Sequence, residues 1–303
     1  MRTDEACPLC SCPFSGSQEI FEVDPIVREW KRCFGLDITG EFQGISRFTL
    51  QECSACKLRF FLPSSLAGSP RIYEGLEKFD WYYMPHRWEH DMALEDLEKC
   101  TNGLEVGCGF GDFVALVCNE KRIPFEGCEQ NPSAVEKARS KGITVRLDTL
   151  QSLAKSRPSA YSAVCAFQVL EHVPDPGSFL NATCTLLHPG GKLMLGLPNA
   201  DSYLRYQVKP LDRPPHHMSR WTREVLARIP SFFPLQLVRT ANEPIANYHL
   251  AEFVDAYTDI LARYHLRIFA HPGIRSRITR LIRWSRVQKF LTGHTIYACY
   301  VRT

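Results

Sequence analysis

Length, composition and charge exclude several classes of protein. The 303 residues are enough for two domains, and 45% apolar with 23% charged residues is ordinary for a globular protein. No apolar run reaches about 18 residues and the first residues lack the apolar stretch of a signal peptide, so we expect no transmembrane helix and a cytoplasmic location. Thirteen cysteines in that compartment favour metal binding over disulfides for some of them.

Four of the cysteines form two Cys-x2-Cys pairs near the N-terminus, Cys7 with Cys10 and Cys53 with Cys56. This spacing lets both sulfurs of a pair face one ion, so the two pairs predict a structural Zn²⁺ with four thiolate ligands. Residues 1–68 are therefore predicted to form a zinc-binding domain. The alternatives to zinc ligation are free cysteines or a redox pair. Two other cysteines of the segment are substitute candidates: Cys12 and Cys33.

Residues 69–102 combine many aromatic side chains with a largely helical pattern that Pro85 interrupts. We predict a helical connector that covers part of the following domain. Tyr82 and Tyr83 are candidates to cover a bound ligand. Packing between domains is the alternative for both tyrosines.

From residue 103 onward, short apolar runs alternate with helical patterns, which predicts an α/β fold with a doubly wound parallel sheet and helices on both faces. The predicted strands are 103–107, 125–129, 143–147, 162–168, 192–197, 235–240 and 295–302. The predicted helices are 111–121, 132–141, 149–156, 176–187 and 222–229. Residues 241–293 are a mostly helical insertion within this predicted domain, 103–303.

The first predicted strand runs into LEVGCGFGDF, with glycines at alternate positions: Gly107, Gly109 and Gly111. Such glycines allow a tight turn and a close approach of a ligand to the backbone. A phosphate loop is excluded because no Gly-Lys-Ser/Thr follows, and a dinucleotide site because the third glycine comes one residue early. The acids Glu105 and Glu129 favour a ligand with a cation and hydroxyl groups, such as an adenosine that carries a sulfonium.

Four stretches resemble class I S-adenosylmethionine-dependent methyltransferases in order and spacing: LEVGCGFGDF, GCEQNPSAVEKARSKGI, AFQVLEHVPDPGSFL and LLHPGGKLMLGLPN. The resemblance spans residues 103 to about 240. It implies a Rossmann-like, doubly wound seven-stranded sheet with an antiparallel last strand, and S-adenosyl-L-methionine as cofactor. Ser162 departs from the family, because many relatives have an acid there.

The same resemblance implies which residues hold the cofactor. The glycine loop contacts its methionine part, Glu129 its ribose, and Asp148 or its neighbours its adenine, while the end of the fourth strand passes beside the sulfonium. A solvated loop carboxylate is the alternative for each of these acids. The predicted cofactor-binding residues are Tyr82, Tyr83, Glu105, Gly107, Cys108, Gly109, Gly111, Phe113, Glu129, Gln130, Asp148, Thr149, Gln168 and Val169.

Methyl transfer requires an oriented acceptor and often a base that removes its proton. The candidate catalytic residues are Glu171 and His172 in VLEHVPD and the pair His216 and His217 in RPPHHMSRWT. Both segments follow strands at the sheet edge where ligands of open α/β folds bind. Packing or loop ordering is the alternative for the histidines.

The predicted zinc module resembles that of bacterial small-molecule and deoxysugar C-methyltransferases more than that of rRNA guanine methyltransferases. The leading prediction is methyl transfer to a small-molecule acceptor, a sugar or a natural-product intermediate, with O-, C- and N-methylation open. The first alternative is an RNA methyltransferase that binds nucleic acid through the zinc module and a basic C-terminal helix. A non-catalytic binding module is the second.

The C-terminal region is basic. From 260–303 there are nine Lys or Arg and no acid, which leaves a net charge of −6 on the first 259 residues. Within 273–290, Ile274, Ile278, Leu281 and Ile282 fit an apolar helical stripe. Three roles are open for this segment: packing on the core or a partner subunit, contact with anionic lipid or a lipid-linked acceptor, and contact with a phosphate-bearing acceptor or RNA. The insertion could also form a lid or a homodimer surface.

Overall fold

The computed structural model describes residues 6–14, 18–207, 209–264 and 266–303, and within them the chain builds two sheets. The smaller contains β1 (Gln18–Glu22), β2 (Arg47–Glu52), β3 (Arg59–Leu62) and β9 (Ser219–Arg220), in the order β1-β2-β3-β9. The larger contains β4 (Gly103–Val106), β5 (Phe125–Glu129), β6 (Val145–Leu147), β7 (Tyr161–Phe167), β8 (Leu187–Pro198), β10 (Leu235–Pro244) and β11 (Thr292–Arg302).

The larger sheet has the strand order β10-β11-β8-β7-β4-β5-β6. Its pairings β4 with β5, β4 with β7, β5 with β6 and β7 with β8 are parallel, whereas β11 is antiparallel to both β8 and β10. Every residue of β7 is buried, as expected for a central strand with helices on both faces. The predicted Rossmann-like α/β sheet with an antiparallel last strand is thereby confirmed.

The core helices are α4 (Asp112–Glu120), α5 (Pro132–Ser140), α6 (Leu150–Ser156), α7 (Pro176–Leu186) and α8 (Arg223–Arg228), each within one residue of its predicted bounds. Side-chain caps explain this agreement: Asn131, Thr149, Asp175 and Thr222 each accept a bond from a first-turn N–H. The strands β8, β10 and β11 extend further than predicted, whereas β4 and β6 are shorter by one and two residues. Leu187 in β8 pairs with Tyr161, and Pro244 in β10 pairs with Thr292.

The N-terminal region packs α1 (Val23–Phe34) on the small sheet, with Trp30 fully buried among apolar side chains. The last strand of this sheet comes from much later in the chain, since Arg59 pairs with Arg220. The N–H of Phe61 also donates to the carbonyl of Met218 at 2.9 Å. The small sheet therefore binds the segment that follows His216 and His217. A boundary at residue 68 between the zinc-binding domain and the rest of the chain does not predict this contact.

The connector contains α2 (Pro70–Leu76) and α3 (Trp88–Asp96), and the insertion contains α9 (Leu250–Arg263) and α10 (Pro272–Ser285). Of the four residues in the predicted apolar stripe, Ile274, Ile278 and Ile282 are half-buried, whereas Leu281 is 62% exposed. Leu281 therefore lies at the solvent-exposed edge of that stripe. In the described part of the chain, no helix has the length and apolar character needed to span a bilayer.

Candidate active site

A large cavity opens at the carboxyl-terminal edge of the parallel strands. Its volume is about 1060 Å³, near the upper end of the range for small-molecule sites. The loops after β4, β5 and β7 contribute to its wall, together with the connector and the insertion. Ligands of open α/β folds bind at this edge. The volume is sufficient for two small molecules side by side.

The glycine loop lies directly against this cavity. Gly107 and Gly109 have φ angles of +70° and +51°, which favour glycine. A Cβ atom at Gly107 would lie 2.4 Å from Val169, and one at Gly109 would lie 2.9 Å from the ring of Tyr83. Both positions therefore require glycine, because Val169 and Tyr83 occupy the space of a side chain. Gly111 instead caps the start of α4 and is not part of the cavity wall.

Glu129, at the end of β5, fastens the loop. Its Oε2 accepts the N–H of Gly109 at 3.0 Å, and its Oε1 accepts the N–H groups of Gln130 and Asn131 at 2.7 and 2.9 Å. A carboxylate can accept about four hydrogen bonds, so Glu129 keeps capacity for a ligand hydroxyl. Gln130 lines the cavity beside it.

Three predicted cofactor residues, Glu105, Cys108 and Phe113, form a buried part of the wall. Burial raises the pKa of the Glu105 carboxyl well above its usual value. Its Oε2 has no hydrogen-bond partner among the described residues. Burial thus disfavours the charged form of Glu105, unless a bound cation compensates for it.

Asp148 and Thr149 do not line the cavity. Oδ1 of Asp148 accepts the N–H of Thr149 at 2.7 Å, and Oγ1 of Thr149 accepts the N–H of Ser152, which caps α6. Their neighbours Leu150 and Gln151 reach the cavity instead. The structure thus places the third-strand contribution two residues later than the predicted pair.

Aromatic side chains from the connector cover the loop. The ring centroids of Tyr83 and Phe110 are 4.6 Å apart, and those of Tyr82 and Tyr83 are 5.1 Å apart. All three rings line the cavity. The position predicted for the two tyrosines agrees with this arrangement, whereas Phe110, inside the glycine loop itself, was not singled out.

Gln168 and Val169 follow β7 and face the same cavity. Gln168 has a φ of +55°, an uncommon conformation for a residue with a side chain. Its Nε2 donates to Oε1 of Glu89 at 2.9 Å, and its N–H donates to the carbonyl of Gly196. These bonds hold the strained backbone in place.

His172 has one ring nitrogen engaged and one available. Its Nδ1–H donates to the backbone carbonyl of His216 at 2.8 Å, which leaves Nε2 unprotonated. Nε2 lies 3.6 Å from Oε1 of Glu171, too far for a hydrogen bond. Burial lowers the pKa of His172 to about 4, so the imidazole is neutral at physiological pH. Such a nitrogen can accept a proton from a ligand.

His216 differs from His172, because both its ring nitrogens are occupied. Nδ1 donates to the carbonyl of Leu211 at 3.1 Å, and Nε2 accepts from the hydroxyl of Tyr82 at 3.0 Å. His217 stacks on His216 with ring centroids 4.7 Å apart. One ring nitrogen from each of the three histidines lies within 4.8 Å of those of the other two. The bonds of His216 nevertheless favour a hydrogen-bonded network over shared metal ligation.

Buried acids complete this end of the cavity. Burial raises the pKa of Glu171 to about 8, that of Glu243 to about 7 and that of Asp212 to about 6. One oxygen of Glu171 and one of Asp212 lack a hydrogen-bond partner among the described residues. These raised pKa values reduce the negative charge beside the histidines near neutral pH.

Sequence reasoning did not single out Asp212, Glu243, His249 and His294, which also line the cavity. They come from the loop after β8, from β10, from the residue before α9 and from β11. They form no motif with fixed spacing. A signal was present only in their chain position, since residues that follow or flank strands of the sheet tend to reach its ligand edge.

The N-terminal cysteines form a separate cluster. Sγ of Cys7 is 3.5 Å from that of Cys56, and Sγ of Cys10 is 3.5 Å from that of Cys53. All four sulfurs lie within 4.8 Å of one another. The residue after each pair, Ser11 or Lys57, has a positive φ of 61° or 66°, so the two pairs share one turn geometry.

The sheet order and the glycine loop define the class I methyltransferase scaffold. A family model described as a methyltransferase domain matches residues 81–238, about half of the chain. The chain belongs to this methyltransferase domain family. The match begins inside the connector, at the aromatic residues that cover the glycine loop.

Curated relatives and solved structures agree with this assignment. The chain is 28% identical over 162 residues to a ubiquinone biosynthesis O-methyltransferase of Alkalilimnicola ehrlichii, covering 44% of this chain and 65% of that one. It is 33% identical over 102 residues to the protein of that name in Xanthomonas euvesicatoria, covering 32% and 42%. The chain thus spans less than two thirds of these relatives.

A solved S-adenosylmethionine-dependent methyltransferase of Thermotoga maritima, described as a possible histamine N-methyltransferase, is similar in fold. It aligns with a TM-score of 0.50 and 14% identity, covering 78% of this chain and 100% of that one. At this identity the likeness supports the fold alone.

Proposed function

We propose that this chain transfers a methyl group from S-adenosyl-L-methionine to a hydroxyl group of a small, weakly polar molecule. One observation carries the proposal: a half-buried, neutral His172, whose Nε2 has no hydrogen-bond partner among the described residues, lines the same cavity as the glycine loop. The cavity volume supports a donor and an acceptor held together. Proximity and orientation then supply much of the rate.

The donor end fits S-adenosyl-L-methionine in its chemistry. When bound, this molecule supplies a methyl group on a positively charged sulfonium. Glu129 has acceptor capacity for ribose hydroxyls, and the bare backbone at Gly107 and Gly109 admits the methionine part. Leu150 and Gln151 take the place beside the adenine that the sequence assigned to Asp148 and its neighbours.

At the acceptor end, His172 is the proposed base. Its Nε2 accepts the hydroxyl proton as the acceptor oxygen takes the methyl group. Its Nδ1–H remains bonded to the His216 carbonyl, which fixes the ring and its tautomer. Tyr82 and Leu211 hold the ring of His216, so we assign His216 a positioning role.

The acceptor class follows from the lining. Tyr73, Tyr82 and Phe34 give this end an aromatic wall, and the raised pKa values of Glu171 and Glu243 reduce its charge. An uncharged, largely apolar acceptor with a hydroxyl group fits best. The curated relatives are named O-methyltransferases, which supports O-methylation over the C- and N-methylation left open by the sequence.

We also propose that Cys7, Cys10, Cys53 and Cys56 hold one structural Zn²⁺. A tetrahedral site with Zn–S distances of about 2.3 Å requires sulfurs about 3.8 Å apart, close to the spacing of this cluster. The ion would supply folding energy to the small sheet and no chemistry in the cavity.

A labelling experiment tests the methyl transfer. The protein is incubated with S-adenosylmethionine carrying a radioactive methyl group and with a fractionated cell extract. We expect label in the organic-extractable small molecules, and we expect His172→Ala to reduce it at least about 100-fold. Label in RNA, or no enzyme-dependent label in any fraction, would contradict the proposal.

A further inference from the structure

The outer face of α10 and the turn that follows it expose large apolar side chains. Leu281, Trp284 and Phe290 are 62%, 82% and 87% exposed. Val287, between the last two, is also exposed. Scattered exposed apolar residues are normal, but a group of this size within ten residues marks an interaction surface. We call these four residues and the basic residues among them the α10 face.

The opposite side of α10 already has a partner. Ile274, Ile278 and Ile282 are half-buried, and Ile282 packs against the cluster that contains Leu250 of α9. Arg275 pairs with Asp255 and Asp259 of α9. The helix is therefore fixed to the domain, and its apolar outer residues are not needed to hold it there.

The charges of the α10 face are uniformly positive. Its basic residues form no ion pair with any residue in the described ranges, and they are Arg277, Arg280, Arg283, Arg286 and Lys289. No acid follows residue 259, whereas the preceding chain is net negative. Arg275, the basic residue that is neutralised, lies on the buried side.

Helical spacing mixes the two kinds of side chain. Arg277 lies one turn before Leu281, and Arg280 lies one turn before Trp284. A second copy of this chain would bring like charges together, and nucleic acid would gain little from Leu281 or Phe290. An amphipathic helix with basic residues beside Trp, Phe and Leu is instead the pattern of a helix that lies in a membrane interface.

We propose that the α10 face binds the surface of an anionic phospholipid bilayer, with Leu281, Trp284 and Phe290 inserted among the headgroups and the arginines on lipid phosphates. The face is joined to the site through α9. His249 and Glu252, at the start of α9, line the cavity, and Asp255 and Asp259 further along hold Arg275. The bound surface would therefore lie on a helix that packs against α9, which forms part of the cavity wall.

Vesicle flotation tests this proposal with the full chain. We expect binding to vesicles of phosphatidylcholine with phosphatidylglycerol at least about tenfold stronger than to phosphatidylcholine alone, and weaker in high salt. Arg277→Glu with Arg280→Glu should weaken binding at least about tenfold. Trp284→Ser with Phe290→Ser should do the same. Arg28→Glu, which changes an exposed arginine of α1, is the matched control and should have no effect.

An unchanged melting temperature and an unchanged affinity for S-adenosylmethionine would show that both double variants are folded. Absence of binding to the phosphatidylglycerol vesicles would overturn the proposal, as would equal binding by wild type and variants. If sedimentation velocity showed a wild-type dimer and a monomer for either double variant, a second copy of the chain would be the partner of the α10 face, and the proposal would be overturned. Salt-dependent binding to bulk RNA without vesicle binding would make RNA the occupant.

Discussion

The two ends of the cavity are built in different ways. The donor end comes from the ends of neighbouring strands β4, β5 and β7, and backbone conformation defines it, above all the positive φ of Gly107 and Gly109. The acceptor end joins side chains from distant segments, from His172 through 209–217 to His294. Backbone requirements leave a pattern in the sequence, whereas contacts between distant side chains do not.

The two ends also depend on different parts of the fold. The donor loops rest on the large sheet. The histidine segment is held by the small sheet through β9 and by the backbone of Glu171, whose carbonyl accepts the N–H groups of Met218 and Ser219 at 2.7 and 3.2 Å. Changes at one end should therefore leave the other largely intact, and four predictions test that separation.

The largest expected effect is on the donor end. Gly109→Arg puts a side chain where φ is +51° and where a Cβ would lie 2.9 Å from Tyr83. We expect S-adenosylmethionine affinity to fall more than about 1000-fold, measured by calorimetry. Gly142→Arg is the matched control, since its φ is +78° but its Cβ would have no neighbour within 4 Å. Equal losses in both variants would point to backbone strain alone.

At the acceptor end, His172→Ala removes the proposed base. We expect kcat for methyl transfer to the acceptor found by labelling to fall about 100- to 10,000-fold, with donor affinity unchanged. His188→Ala, near the start of β8 and outside the cavity wall, is the control. A loss of only a few-fold would assign His172 a packing role.

Removal of the zinc site should weaken the acceptor end alone. Cys53→Ser takes away one of four thiolates, and metal analysis should show loss of about one Zn²⁺ per chain. Because β3 holds the histidine segment through β9, turnover should fall more than donor affinity. Full retention of zinc would refute the ligand assignment, and parallel losses of turnover and donor affinity would refute the separation.

The effect expected to be smallest near neutral pH concerns stability. Glu171, with a pKa raised from 4.5 to about 8, binds a proton in the folded but not in the unfolded chain between these values. Its contribution is full below about pH 4.5 and is lost as the pH rises to about 8, by at most about 1.4 kcal/mol per pH unit. Glu171→Gln should flatten this decline in the free energy of unfolding, measured with urea. Glu243→Gln should affect only the range from about 4.5 to 7. A decline that persists unchanged in Glu171→Gln would contradict the assignment.

The sequence predicts the large sheet, its helices and the glycine turn after β4, because buried strands, helix caps and glycines with positive φ are local requirements. It fails where local and tertiary demands differ. Thr149 caps α6 and Asp148 bonds the N–H of Thr149, so their neighbours reach the cavity instead. Leu281 fits the apolar stripe by residue type but lies on the outer face. The spacing of the histidines does not predict which one is the proposed base and which one has a positioning role. That difference depends on the contacts of His216 with Tyr82 and Leu211.

Calorimetric titration of S-adenosylmethionine into three proteins tests the two-ended cavity most directly. We predict one site per chain in the wild type, no detectable binding in Gly109→Arg, and wild-type affinity in His172→Ala. Absence of binding to the wild type would contradict the donor assignment. Comparable losses in both variants would contradict the separation of the donor end from the acceptor end.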